Sequence, residues 1–320
     1  MAMEPRGRKI SIIGAGAVGT AIAYSALIRG VARQVTLMDV NAEKVAAEVL
    51  DLSHGLEFVP RSSVTGGSDP SVCAGSDVIL FTAGAKQKPG QSRLELAAAT
   101  IELTRTALPP IVEAAPEATV VMVTNPVDVV TYAALKFTGL PRTRLFGSGT
   151  VLDSSRLRFL LSEYCGVSVQ NVHAYIAGEH GDSEVPLWSS ATIGGVPLLD
   201  WEPLPGREPL SAEARMAIQA EVVGAAYRII QGKGATNYAI GLAAARIAEA
   251  ILTDEHRVLP VSSLIEDPVH GISDVCLSLP TVVDADGAGQ LLPVSMSADE
   301  LGALRASAST LQAMQRQFGL

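Results

Sequence analysis

The sequence predicts an α/β protein: a doubly wound parallel sheet in the first half and an α+β unit in the second. Three observations predict it. Short, continuously apolar runs alternate with helical patterns up to about residue 149, as strands covered on both faces require. A glycine-rich turn joins the first of these strands to the first helix. Beyond residue 149 the rhythm changes to long helices and a β-rich stretch, in a 320-residue chain that exceeds the usual size of one core.

Taken in order, KISII (9–13) is a short apolar strand, and the alanine-rich stretch 17–28 is helical. QVTLMD (34–39) is a second strand, followed by AEKVAAEVLDL, a helix that Asn41 can cap. DVILFTA (77–83), ATVVMVTNP (118–126) and RLFGSG (144–149) are further strands separated by helical patterns. A domain boundary is expected near 149, giving units 1–149 and 150–320 that share a cleft without a flexible linker. The second unit should contain a helix around 151–164, a strand HAYIAG (173–178) and a Pro/Gly-rich stretch near 195–210. Helices over 211–231 and 237–252, β-rich turns and a closing helix over 298–317 complete it.

Composition narrows the function. A chain that is 48% hydrophobic and 18% charged has a packed core and is not disordered. A net charge of −9 argues against nucleic acid or an anionic membrane as a partner, so an anionic ligand needs a local cationic pocket. Residues 10–28 form an uncharged run behind Arg6, Arg8 and Lys9 that superficially resembles a signal or anchor. Three specially spaced glycines inside it, and a second strand soon after, favour a soluble reading. Cys73, Cys165 and Cys276 are odd in number and lack CxxC spacing, as buried thiols in a reducing cytoplasm would be. No metal site is expected.

Gly14, Gly16 and Gly19 stand in G-x-G-x-x-G order within GAGAVG. The first allows a tight turn, the second lets a pyrophosphate approach the backbone, and the third lets helix and strand pack closely. The pyrophosphate then lies at a helix N-terminus, where free N–H groups favour anions. The motif is weak alone. Its setting strengthens it: a strand precedes it, a helix follows, and Asp39 stands at the end of the next strand, making this half Rossmann-type. An acid there bonds ribose hydroxyls and repels a 2′-phosphate, favouring NAD over NADP; the bland alternative is a solvated strand-end acid.

Four residues near or beyond the boundary can carry chemistry. His180 in GEHGDSEVP follows an apolar strand and is flanked by glycines, although a lone histidine is more often structural. Asp153 and Arg156 in VLDSSRLRF share one helix face, where they could bind a substrate or simply pair with each other. Asn125 in VTNPVD ends a strand before a proline, where an ordinary turn is the plain alternative.

With these parts in place, the chain resembles the bacterial-type NAD-dependent L-lactate dehydrogenases of the lactate/malate dehydrogenase family. The resemblance runs from GAGAVG through Asp39, AGAKQKPGQSR, TNPVD, GSGTVLDSSRLR, NVHAYIAGEHGD and KGAT to the C-terminal helix. It implies hydride transfer between NADH and pyruvate. His180 would be the acid–base group, oriented by Asp153, and Arg156 would clamp the substrate carboxylate. Asn125 would bond near the ketone and cofactor, and Thr236 would lie beside the substrate. Ala17, Val18, Thr82, Ala83 and Gly84 would line the cofactor with the glycines and Asp39. Segment 83–93, which has no large hydrophobe from Lys86 to Arg93, matches the family's mobile lid. Arg93 would polarise the ketone, and Gln87 takes the specificity position, where malate dehydrogenases commonly carry arginine.

The resemblance also implies regulation. Arg158, about 200° round the helix from Arg156, and His173 match the pair with which allosteric members bind fructose 1,6-bisphosphate across a two-fold interface. By themselves they are a surface arginine and a surface histidine. A homotetramer, a dimer of dimers, is implied, and the short segment before the first strand leaves no long N-terminal arm. Gln91 and Asn237 depart from the family's frequent acid and tyrosine. The rival readings are a malate or broader 2-keto-acid dehydrogenase, which Gln87 disfavours, and an idle dinucleotide-binding protein, which the intact set of candidate groups disfavours.

Overall fold

The computed structural model describes residues 8–85, 93–266 and 270–320, with the backbone alone at Arg93. Its first half runs β1 (Lys9–Ile13), α1 (Ala17–Arg29), β2 (Gln34–Met38), α2 (Ala42–His54), β3 (Ser63–Gly67), β4 (Val78–Phe81), α3 (Arg93–Ala114), β5 (Thr119–Met122), α4 (Val127–Thr138) and β6 (Leu145–Gly147). These strands pair in parallel in the order β3-β2-β1-β4-β5-β6. Every residue of β4 and β5 is buried, which is why they read as unbroken apolar runs. The chain reverses its winding between β1 and β4, and the crevice outside their carboxyl ends is where such sheets bind ligands. Asn41 caps α2, its Oδ1 accepting from Lys44 N at 3.0 Å, a contact of about 1 kcal/mol. β3, SVTGG, carries too little apolar signal to stand out as a strand in the sequence; pairing to β2 along its whole length makes it one.

The second half contains α5 (Val151–Cys165), β7 (Val172–His173), β8 (Ile176–Ala177), β9 (Val185–Pro186), β10 (Thr192–Ile193), β11 (Val196–Pro197), α6 (Ala212–Lys233), α7 (Tyr238–Leu252), β12 (Arg257–Ile265), β13 (Val275–Asp284), β14 (Gly287–Leu291) and α8 (Ala298–Gln317). The single strand expected over 173–178 is instead two. His173 pairs with Thr192 in one sheet, while Ile176 and Ala177 pair with Pro186 and Val185 in another. The available partners change along the segment, so the chain crosses between sheets at Ala174 and Tyr175.

The halves are joined closely. β12, β13 and β14 extend the parallel sheet antiparallel to β6 into nine strands, through the Ser262–Gly147 pair. Helix α7 packs on α1, and Ala244 and Ala248 share a buried cluster with Ile22 and Ala26. Gly149 takes φ +52°, and a Cβ there would lie 2.4 Å from Ser278 Oγ and 2.5 Å from Ser262 N. Thr150 N next donates to Pro260 O at 3.1 Å, and its hydroxyl to Ile176 O at 2.5 Å. The crossing is therefore pinned by one backbone and one side-chain hydrogen bond. All three cysteines are buried free thiols, and no described helix is long and apolar enough to cross a membrane.

Candidate active site

The glycine-rich turn follows β1 directly. Gly14 has φ +102°, and a Cβ there would lie 2.8 Å from Thr82 Oγ1; at Gly19 it would lie 1.9 Å from Gly14 O. At Gly16 nothing comes within 4 Å, and this residue begins α1 with no side chain capping it. Two glycines thus close the turn while the third leaves room and unpaired helix N–H groups for an anion. Asp39, one residue beyond β2, accepts from Ala15 N at 2.8 Å and from Asn41 N at 3.0 Å, and stays half-exposed. Thr82 Oγ1, beyond β4, donates to Ile13 O at 2.8 Å, and Ala83 and Gly84 continue the same rim. Asn125 is exposed beyond β5. Every one of these residues lies at a carboxyl end of the sheet, around the switch point, so the residues present fit a dinucleotide.

His180 is held against the same edge. Its backbone N donates to Asp128 Oδ2 at 2.8 Å, and Asp128, in the first turn of α4, accepts from Ser262 Oγ of β12 at 2.6 Å. The His180 ring places Nδ1 2.5 Å from Asp153 Oδ2. Asp153 Oδ1 accepts from Arg156 Nη1 at 2.6 Å. One buried carboxylate, 2% exposed, therefore serves an imidazole and a guanidinium that remain partly open at 23% and 15%. The ion pair weighed from spacing alone is present, and it coexists with the histidine contact.

The charges follow from this packing. Burial opposes ionisation of Asp153, but the charge of His180, their hydrogen bond and Arg156 outweigh it and hold the carboxyl below its ordinary value. Burial likewise works against a charged His180. Asp153, through charge and hydrogen bond, then Asp128 and Glu184, overcome it and push the ring to about 9. Asp128 goes the other way: burial raises it to about 6 despite its bonds to Ser262 and His180. At neutral pH the ring is a charged acid with Nδ1 committed to Asp153, so its mobile proton is on Nε2.

Residues 8–147 match the lactate/malate dehydrogenase NAD binding domain, and residues 150–318 the alpha/beta C-terminal domain. The chain belongs to the lactate/malate dehydrogenase family. It is an NAD-dependent oxidoreductase acting on a CH–OH group. Among its relatives, the L-lactate dehydrogenase of Bifidobacterium animalis subsp. lactis is 57% identical over 311 residues, covering 97% of both chains. That of Moorella thermoacetica is 45% identical, covering 98% of both. The minor L-lactate dehydrogenase of Enterococcus mundtii, solved in a ligand-bound form, superposes with a TM-score of 0.92 at 37% identity, over 97% of this chain and 98% of that one.

In this family member Thr236 is half-buried between α6 and α7, and the departing Asn237 accepts a hydrogen bond from Lys233 Nζ. Arg158 is half-buried where a surface residue was the plain alternative. Its Nε donates to Ala174 O at 2.8 Å, and its guanidinium lies 4.9 Å from the Tyr175 ring centre, beside an exposed His173. Gln87, Gln91 and the Arg93 side chain lie outside the described residues. Sequence reasoning passed over Asp128, although it stands inside TNPVD, because an acid in a helix's first turn reads as a response to the helix dipole. Ser262 and Glu184 were missed as well. Ser262 has no local signal, whereas Glu184 is an acid immediately before the apolar start of β9, which was a usable one.

Proposed function

We propose that the protein is an L-lactate dehydrogenase, reducing pyruvate to L-lactate and catalysing the reverse, with an NAD-binding unit over 1–149 and a substrate unit over 150–320. The observation that carries it is the Asp153–His180–Arg156 cluster, tied by Asp128 to the edge of the sheet that bears the dinucleotide turn. The names of relatives up to 57% identical support the substrate. Bound NADH supplies the hydride. Protonated His180 donates from Nε2 to the ketone oxygen, and Asp153 keeps the ring oriented and stabilises its charge. Arg156 uses one of its five donors on Asp153, which leaves donors for the substrate carboxylate. Asn125 and Thr236 line the substrate, Arg93 polarises the ketone, and the 83–93 lid excludes water. Gln87 selects against a second carboxylate, because that charge would lack a partner.

We further propose that Arg158 and His173 form a fructose 1,6-bisphosphate site in a cytoplasmic homotetramer. Arg158 is anchored beside the 173–175 segment, and the positive charge of Arg257 acts on it. Such a cluster, repelling its own symmetry mate, would be bridged by a polyanion. The test is NADH oxidation with pyruvate and with oxaloacetate, each with and without the bisphosphate, at two pH values. Pyruvate preference with activation by the bisphosphate is expected. Oxaloacetate preference overturns the Gln87 reading, and pyruvate preference without an effector response overturns the switch alone.

A further inference from the structure

The loop that carries His180 also carries an acid that takes no step in the reaction above. Glu184, just before β9, is 4% exposed, and its Oε1 is shut from solvent with no hydrogen-bond donor among the described residues. Its neighbour Glu179 is placed differently, with Oε2 accepting from the Ser183 hydroxyl and backbone N. The charged groups that act on Glu184 are Asp153 and Arg156 from α5, and His180 and Glu179 from its own loop. Arg156 is drawn to Asp153 at 2.6 Å, and His180 Nδ1 to the same carboxylate at 2.5 Å. Both cations are thus already directed at another acid. A buried carboxylate whose oxygen finds no donor is far costlier than the neutral acid.

We propose that Glu184 is held as a neutral carboxylic acid beside the Asp153–His180–Arg156 cluster, and is a positioning residue that keeps the pocket receptive to an anionic substrate. The inference rests on the 2-keto-acid reading of that pocket. With Glu184 neutral, Asp153 is the partner of both cations and the incoming carboxylate meets Arg156. With Glu184 ionised, a second buried anion competes for Arg156 and repels the substrate. Burial first, and then the charge of Asp153, push this carboxyl up to about 8, against the pull of His180 and Arg156. Substrate affinity therefore weakens above that pH, while the proton that His180 donates persists to about 9.

The test compares the wild type with Glu184→Gln, an uncharged mimic of the protonated acid, by KM and kcat for pyruvate from pH 6 to 10. In the wild type, KM rises roughly tenfold per pH unit above about 8 while kcat holds until His180 loses its proton. In Glu184→Gln, KM stays level over that interval. Because the ionised glutamate no longer supports the imidazolium, the final loss of kcat/KM also begins at lower pH. Infrared difference spectra, wild type minus variant, read the group itself: a protonated carboxyl C=O band at pH 7 that disappears towards pH 9. A variant that keeps the wild-type rise in KM overturns the proposal, and so does a Glu184 ionised at pH 7. If the variant does not fold, infrared titration of the wild type decides, since a carboxyl proton lost near 8 is separable from that of Asp128 near 6. Failure to turn over pyruvate would sink the substrate reading and leave the infrared test intact.

Discussion

Replacing Asp128 with asparagine should make the protein more stable and less useful. The carboxyl is 2% exposed and its pKa rises from 3.8 to about 6 on folding, a shift of roughly 2 units, or about 3 kcal/mol at 1.36 kcal/mol per unit. Because the folded value lies above the unfolded one, this group favours folding when protonated. Its contribution is fully present below about pH 4 and is lost as pH rises through 6. At pH 7.5 the wild type therefore carries a buried charge that an amide does not. In Asp128→Asn the amide oxygen can accept from His180 N, and the NH2 can donate to Ser262 Oγ, so the two bonds survive. With an unfolding entropy of about 2.1 cal/mol/K per residue over 320 residues, 3 kcal/mol corresponds to a Tm gain of about 4 °C. Thermal unfolding at pH 7.5 and at pH 4 measures it, and the gain should vanish at the lower pH. The same change removes a charge that raises His180, so the alkaline limit of pyruvate reduction should move below 9. A variant less stable than wild type at pH 7.5, or an unmoved alkaline limit, would refute the reasoning. The exchange of stability for a correctly charged histidine is the usual condition of an active site.

Asp153→Asn should lower kcat by about 10³ or more, since an amide neither fixes the ring nor stabilises its charge. Burial then dominates, and the pH at which pyruvate reduction fails should fall well below 9, as a pH–rate profile will show. In the wild type the opposite reaction, lactate oxidation, needs neutral His180, and its kcat at saturating lactate should rise towards pH 9. Arg156→Lys exchanges a planar two-pronged donor for a point charge; a loss of about 2 kcal/mol raises KM for pyruvate about 30-fold with a smaller effect on kcat, and an unchanged KM would remove Arg156 from the substrate. Gly19→Ala puts a methyl group 1.9 Å from Gly14 O, so the turn must open; NADH affinity by fluorescence titration should drop at least about tenfold, and normal affinity would show that the turn does not bind the cofactor.

The cofactor half was legible because its information is local. GAGAVG, Asp39 and the buried strands each carry their meaning within a few residues, and parallel pairing follows from uniform apolarity. The catalytic cluster was half legible: a three-residue spacing placed Asp153 and Arg156 on one helix face, but no spacing says that His180 meets the same carboxylate 27 residues later. The strand expected over 173–178 failed for a related reason, since pleated backbone is a property of partners and these two pieces have different ones.

By itself the sequence determined the fold class, the dinucleotide turn and the set of groups available for chemistry. Only the tertiary structure decided their charge states. The raised pKa of Asp128, the charge on His180 and the neutrality proposed for Glu184 depend on burial and on groups brought together from α4, α5, β12 and the 178–186 loop. Burial and charge–charge interaction act through space, so residues distant along the chain set the pKa of each acid and base in this pocket.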